Sequence, residues 1–296
     1  MPLLSARMCI FLQHMESEHA AMNDEGERLG SVWAEVSGLR MHARAATDAA
    51  HAGALPLVLV HGLVVSSRYM IPLAERLAAR AYVYAPDLPG FGQSDHPYRP
   101  LNIAGLADAL AGWMRATSIP RAALIGNSMG CQVIADLALR YPALVACAVL
   151  IGPTTDRRGR NVPEQLRRLI AAGPHEAPGL LGVQLRDTWS AGLRETLATA
   201  RYAIEDRIEA KLPALDIPVL VVSGEHDPLA PPSWAAELAG LLPHGQLHIL
   251  AGGGHALNYS APDQLLERIA PFLNQSVGLK VADDCAEFLP AGAAAG

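Results

Sequence analysis

Hydrophobic positions along this chain fall into two alternating kinds of run. Short, β-branched-rich apolar runs occur at LPLVLVHG, AYVYAPDLPG, RAALIGNS, VACAVLIGP, IPVLVVSGEHD and GQLHILAGGGH, and longer helix-compatible segments separate most of them. Strands alternating with helices predict a largely parallel sheet covered on both faces. Upstream, LGSVWAEVSGLRMHARAA reads as two more strands around a Ser37-Gly38 turn, an antiparallel hairpin feeding the sheet. The total comes to about eight strands.

The rhythm breaks from Gly152 to Pro213, where helix-like runs and Pro/Gly breaks follow one another without a strand pattern. An all-helical insertion between two sheet strands is the economical interpretation. Ligands of open α/β sheets bind beyond the carboxyl ends of the strands, so an insertion after the Val145–Ile151 run roofs that region. The expected organisation is a loose arm over 1–27, a core first part over 28–152, a helical cap over 153–213, a core second part over 214–276 and a tail over 277–296.

Composition narrows the partners. With 296 residues, 51% of them hydrophobic, the chain can bury one large core. Charged residues make up 18% and the formal net charge is -6, which gives no electrostatic case for nucleic acid or an acidic membrane surface. Cys9, Cys131, Cys147 and Cys285 have neither metal-ligand pairing nor the density of a disulfide framework, so reduced thiols in a cytoplasmic compartment are the simplest account. The N-terminal segment has one short apolar patch interrupted by Arg7, too short to span a membrane and without a clear cleavage site. Eleven histidines are scattered with no HExxH and no compact carboxylate pair, so neither a metal nor another cofactor is expected.

Gly126-Asn127-Ser128-Met129-Gly130 is where the candidate chemistry begins. The apolar AALI run precedes these residues and the helix-periodic CQVIADLALRY follows, which puts them at a strand-to-helix turn. Two glycines at that spacing allow close packing around a strained central residue and leave the Ser128 hydroxyl exposed. The start of the following helix adds partial positive charge beside an oxyanion. A lone serine is a poor nucleophile, so the turn gains meaning only if the chain also supplies a base, an orienting acid and oxyanion donors.

With those parts in place, the chain from His61 to His255 resembles the α/β-hydrolase superfamily, in its serine-nucleophile branch. VLVHGL is similar to the oxyanion loop after the third strand, PDLPGFGQSD to the loop after the fourth, GNSMG to the nucleophile elbow, SGEHDPLAPP to the acid loop and GGGHALNYSAP to the histidine loop. The resemblance implies a mostly parallel eight-stranded α/β-hydrolase sheet with a helical cap. It assigns Ser128 as nucleophile, His255 as base, Asp227 as the residue orienting the histidine, and the N–H groups of Leu63 and Met129 as oxyanion donors. His61 and Asp87 are expected to organise the neighbouring loops. Cys131, one residue past the elbow, reads as a buried structural cysteine.

Substrate contacts are expected from the cap. Trp189, Leu193, Leu197 and Tyr202 are candidates for an apolar wall, while Arg186, Arg194 and Arg207 either meet a substrate carboxylate or solvate the outer side. Tyr259 and Asn258 follow the base closely enough to border the site. The asparagine in GNSMG is similar to hydrolases that cleave carbon-carbon bonds in vinylogous diketone acids; Ala256, however, stands where that subgroup carries an aromatic residue. The expected activity is therefore hydrolysis of a small to medium, mainly apolar carboxylic ester through an acyl-enzyme. Carbon-carbon hydrolysis, lactonase or acyltransferase chemistry, and a small-molecule receptor on the same scaffold are the alternatives. The implied partners are a small ester or related acyl substrate and water, with no nucleic acid or membrane, and an oligomer stays compatible with the chain.

Overall fold

The computed structural model describes residues 29–48 and 54–278. The expected arm and tail, with Cys9 and Cys285, lie outside the described residues, apart from the 277–278 end of the tail. Eight strands form one sheet: β1 (Gly30–Val36), β2 (Leu39–Ala46), β3 (Leu57–Val60), β4 (Val83–Pro86), β5 (Ala122–Asn127), β6 (Val145–Ile151), β7 (Val219–Gly224) and β8 (Gly245–Leu250). Their spatial order is β1-β2-β4-β3-β5-β6-β7-β8. β1 and β2 make the hairpin, with Ser37 and Gly38 at positive φ in its turn, and β2 joins β4 antiparallel. From β4 through β8 every pairing is parallel.

The apolar runs become central strands because both of their faces are covered. Every residue of β3, β5, β6 and β7 is buried, as expected where helices pack on both sides. Helices α1 (Ile71–Ala78) and α9 (Pro262–Val277) cover one face, joining Leu73, Leu77, Ile269 and Leu273 to the core there. Helices α2 (Ile103–Ala116), α3 (Met129–Arg140) and α7 (Pro232–Leu241) cover the other, where Trp113 and Trp234 are fully buried. The short α8 (Leu257–Ser260) follows the histidine loop.

Between β6 and β7 the chain forms only helices: α4 (Val162–Ala172), α5 (Leu180–Glu205), the single-turn α6 (Ile208–Lys211) and short 3-10 turns. Asn161 caps α4 by accepting from the Glu164 N–H, and Pro163 sits in its first turn, where no donor is lost. Gly192, at φ 77°, breaks α5 into two helical arms. Asp187 anchors α5 to the core by accepting from Ser66 Oγ at 2.7 Å and from Arg68 at 3.2 Å. Gln132 and Thr155 both donate to the Ala203 carbonyl, at 2.8 and 3.0 Å. The insertion therefore lies across the carboxyl ends of the strands.

Candidate active site

Five strand ends deliver the candidate groups to one edge of the sheet. β5 runs into Ser128, which takes φ 56°, ψ -121° before α3 begins at Met129. That backbone conformation is unfavourable for a residue with a Cβ and costs about 1–3 kcal/mol. The flanking glycines make the turn sterically feasible. A Cβ on Gly126 would come within 2.6 Å of Ile134 Cδ1, and one on Gly130 within 2.3 Å of the Val60 carbonyl oxygen. The Ser128 N–H donates to the Ile151 carbonyl at 2.9 Å, so β6 holds the turn from the side. The Ser128 hydroxyl lies 3.4 Å from that of Thr154, just beyond β6.

The loops after β7 and β8 bring a carboxylate to an imidazole. Asp227 Oδ1 accepts from the N–H groups of Leu229 at 2.8 Å and Ala230 at 2.9 Å, which fixes the carboxylate, and Oδ2 faces His255 Nδ1 at 2.8 Å. A carboxylate only accepts, so Nδ1 carries the proton in the neutral ring and Nε2 is left as the acceptor. Burial disfavours the His255 imidazolium, but the Asp227 carboxylate and its hydrogen bond, with Glu176 beyond, outweigh it and hold the pKa above the usual histidine value. Gly152 makes room for this pair: at φ 53°, its missing Cβ would lie 2.9 Å from His255 Nδ1 and 3.0 Å from Asp227 Oδ2.

Leu63 and Met129 border the same cavity as Ser128 and His255. Met129 opens a helix, so its N–H is one of the donors that a helix start leaves unpaired. Leu63 precedes Val64, whose φ of 59° is rare for a β-branched residue and bends the backbone sharply after β3. His61 stabilises this loop from beneath, donating from Nδ1 to the Gly62 carbonyl at 2.8 Å and accepting at Nε2 from the Leu88 N–H at 3.0 Å. Complete burial lowers its pKa, against the nearby Asp87 charge, which keeps the ring in the neutral form that this bridge requires. Asp87 is likewise engaged, with His42 at 2.8 Å and the backbone N–H groups of Ser67 and Gln93.

Asn127 is a brace. Its side-chain oxygen accepts from the Tyr69 hydroxyl at 3.0 Å, and its NH2 donates to the carbonyls of His255 at 3.1 Å and Ile151 at 3.3 Å. It ties the elbow to the histidine loop. Cys131 is fully buried, with Sγ 3.3 Å from the Gly126 carbonyl, and burial pushes its thiol well above the usual pKa. That environment makes it an inert packing residue. Among the described residues no group of three or more His, Cys, Asp or Glu side chains is arranged to hold a metal, and no helix is long and apolar enough to cross a membrane.

The cavity above Ser128 has a volume of about 280 Å³. Its cap side is made by Val162, Gln165, Leu166 and Leu169 of α4 and by Thr196, Leu197, Ala200 and Arg201 of α5. The expected substrate contacts fall elsewhere, Leu197 excepted. Trp189 is 90% exposed, and Leu193 and Arg186 also point outward. Tyr202 is half-buried outside the cavity wall, and Tyr259 stacks on Tyr69 with ring centroids 6.0 Å apart. The physical reason is helix phase. Unbroken helical spacing would group 189, 193 and 197 on one stripe, but Gly192 breaks the helix between 189 and 193, and the buried anchors Asp187, Ala191 and Glu195 decide how each arm is turned. Two contacts that the sequence reading omitted, Thr154 beside Ser128 and Glu176 beneath His255, join residues 26 and 79 positions apart, for which no local pattern exists.

The sheet order, the cap and the convergence of strand-end loops define a hydrolase of α/β architecture. Residues 57–268 match the family model described as Alpha/beta hydrolase family, and the chain belongs to that family. A pimeloyl-[acyl-carrier protein] methyl ester esterase of Xanthomonas oryzae pv. oryzae is 29% identical over 244 residues, covering 73% of this chain and 94% of that protein. A putative carbamate hydrolase, RutD, of Pantoea ananatis is 29% identical over 239 residues, covering 72% and 86%. Among solved structures, a thermophilic esterase from Thermogutta terrifontis superposes with a TM-score of 0.68 at 23% identity over 83% of this chain and 99% of that one. An enol-lactonase from Burkholderia xenovorans LB400 does so at 0.69 and 21%, over 82% and 100%. These two likenesses concern the fold.

Proposed function

We propose that this chain is a serine hydrolase that cleaves a small to medium, mainly apolar carboxylic ester through an acyl-enzyme. The observation that carries the reading is the meeting of the Asp227–His255 pair with the strained Ser128 turn at one cavity. His255 Nε2 takes the Ser128 proton as Oγ attacks the ester carbonyl carbon, and the Leu63 and Met129 N–H groups hold the oxyanion. Collapse of the tetrahedral intermediate expels the alcohol, which leaves with the proton from His255. Water, activated by the same nitrogen, then attacks the acyl carbon, and the acid departs as Ser128 regains its proton. Asp227 keeps Nδ1 protonated and balances the imidazolium charge while it exists.

The lining favours an uncharged acyl group. Among the described residues, Arg201 is the one charged side chain besides His255 on the cavity wall, and Glu205 already engages it at 2.7 Å. A diketone acid would need a free cation for its carboxylate; the ester reading needs none. The related methyl ester esterase supports the same bond type.

The test is the intact mass of the protein after exposure to a small fluorophosphonate, together with turnover of short p-nitrophenyl esters. Wild type is expected to gain one adduct and turn the esters over; Ser128→Ala is expected to gain none and lose more than about 1,000-fold in kcat while staying folded. Near-normal turnover by pure, folded S128A would end the nucleophile assignment, and selective turnover of a vinylogous diketone acid would move the substrate class.

A further inference from the structure

Glu176 lies between α4 and α5, in the part of the cap that rests on the loop carrying His255. Both of its carboxylate oxygens are engaged there. Oε1 accepts from the backbone N–H of His255 at 2.6 Å and of Ala256 at 2.9 Å, and Oε2 accepts from Ser260 Oγ at 2.7 Å. Ser260 Oγ in turn accepts from the Ala177 N–H at 3.0 Å, closing a ring of hydrogen bonds between cap and core. Next door, the His175 and His226 rings sit 4.8 Å apart, so the same cap segment also rests on the loop that carries Asp227. The close approach depends on Gly254, where a Cβ would lie 2.6 Å from Glu176 Oε1 and 2.8 Å from the His175 carbonyl oxygen.

This arrangement is more specific than cap adhesion requires. Asp187, and Gln132 through the Ala203 carbonyl, already fasten the cap to the core elsewhere, away from the Asp227–His255 pair. Glu176 instead grips the peptide N–H of the residue whose ring would carry the proton. Two charge-assisted hydrogen bonds to adjacent N–H groups define the path of that backbone closely. The side chain of His255 leaves from a backbone held by the cap on one side, and its ring is held by Asp227 on the other.

We propose that Glu176 is a positioning residue for His255, through which the seated cap fixes where the imidazole stands above Ser128. The proposal rests on the reading of His255 as the general base. In it the cap has two tasks: it walls the cavity, and it completes the placement of the base. Displacing the 173–179 segment releases the His255 backbone, so a molecule with its cap lifted is a poor catalyst even where Ser128 is open to solvent.

Charge and geometry separate in two variants. Glu176→Gln retains an oxygen for the His255 and Ala256 N–H groups and removes the negative charge. The charge left acting on the imidazole is then Asp227 from the acid loop, with Ser128 and Tyr69 lining the same cavity and the His175 and His226 rings on the cap and acid-loop sides. Removing one of two nearby anions disfavours the imidazolium, so the His255 ring titration followed by NMR is expected to move to lower pH, with the acid limb of kcat/KM moving alongside. Glu176→Ala removes the grip as well and is expected to lower kcat about 10- to 100-fold with little change in KM, Tm being measured beside it. Wild-type kcat in folded E176A overturns the proposal, as does a His255 ring in E176A whose NMR shifts and titration coincide with those of wild type. The NMR comparison needs no turnover. If wild type forms no fluorophosphonate adduct and cleaves no ester, the hydrolytic reading fails while the titration still decides whether Glu176 acts on His255.

Discussion

At the scale of single residues, His255 is where stability and activity pull in opposite directions. Asp227 and Glu176 hold its pKa above the usual histidine value despite the burial that works against it. A group whose folded pKa is raised binds its proton more tightly when folded. Its contribution to stability is therefore fully present below the unfolded pKa and is lost as pH rises through the folded one. As the proposed base, His255 works only when neutral, so kcat/KM should rise with pH through an apparent pKa above the ordinary value, measurable in a pH-rate profile of any turned-over ester. Asp227→Asn should lower kcat by roughly 1,000- to 10,000-fold, because an amide can present its NH2 to Nδ1 and favour the wrong tautomer. Ser128 gives a complementary test. Glycine takes its φ of 56° without strain, so Ser128→Gly should abolish adduct formation while raising stability by up to about 1 kcal/mol in denaturant titration.

At the scale of elements, the turns after the strands have backbone shapes that side chains would obstruct. Gly152 ends β6 at φ 53° with the Asp227–His255 hydrogen bond where its Cβ would be. Gly152→Ala should therefore lower kcat far more than it changes KM and destabilise the fold by about 1–3 kcal/mol, through strain and the forced shift of the pair. Comparing its kinetics with its thermal unfolding separates the two effects. The glycines at 126 and 130 could be read in advance, since spacing around a serine at a strand-to-helix junction implies close packing on both sides. The role of Gly152 could not, because the atoms that demand it belong to residues 75 and more than 100 positions further along.

At the scale of the whole molecule, the cap decides what the sheet cannot. Leu181, Leu185, Trp189 and Leu193 are exposed, and none of them lines the cavity above Ser128. Trp189→Ser should leave the turnover of short p-nitrophenyl esters unchanged and shift stability by no more than about 0.5 kcal/mol, whereas Leu166→Trp, on the cavity wall, should raise KM for longer acyl chains. The eight strands, the hairpin and the helical insertion were legible because each depends on local pattern, apolar runs, helical spacing and turn residues at strand ends, whereas Ser128, Asp227 and His255 were singled out by the resemblance of their loops to those of α/β-hydrolases. The chain order of those motifs then placed them on one edge of a parallel sheet. Which face of α5 meets the cavity, the contact of Thr154 with Ser128, and the grip of Glu176 on the His255 backbone were decided only by tertiary structure. Periodicity sets which residues share a helix face but leaves the rotation of that face to packing, and a carboxylate finds an N–H far along the chain only after the cap has docked.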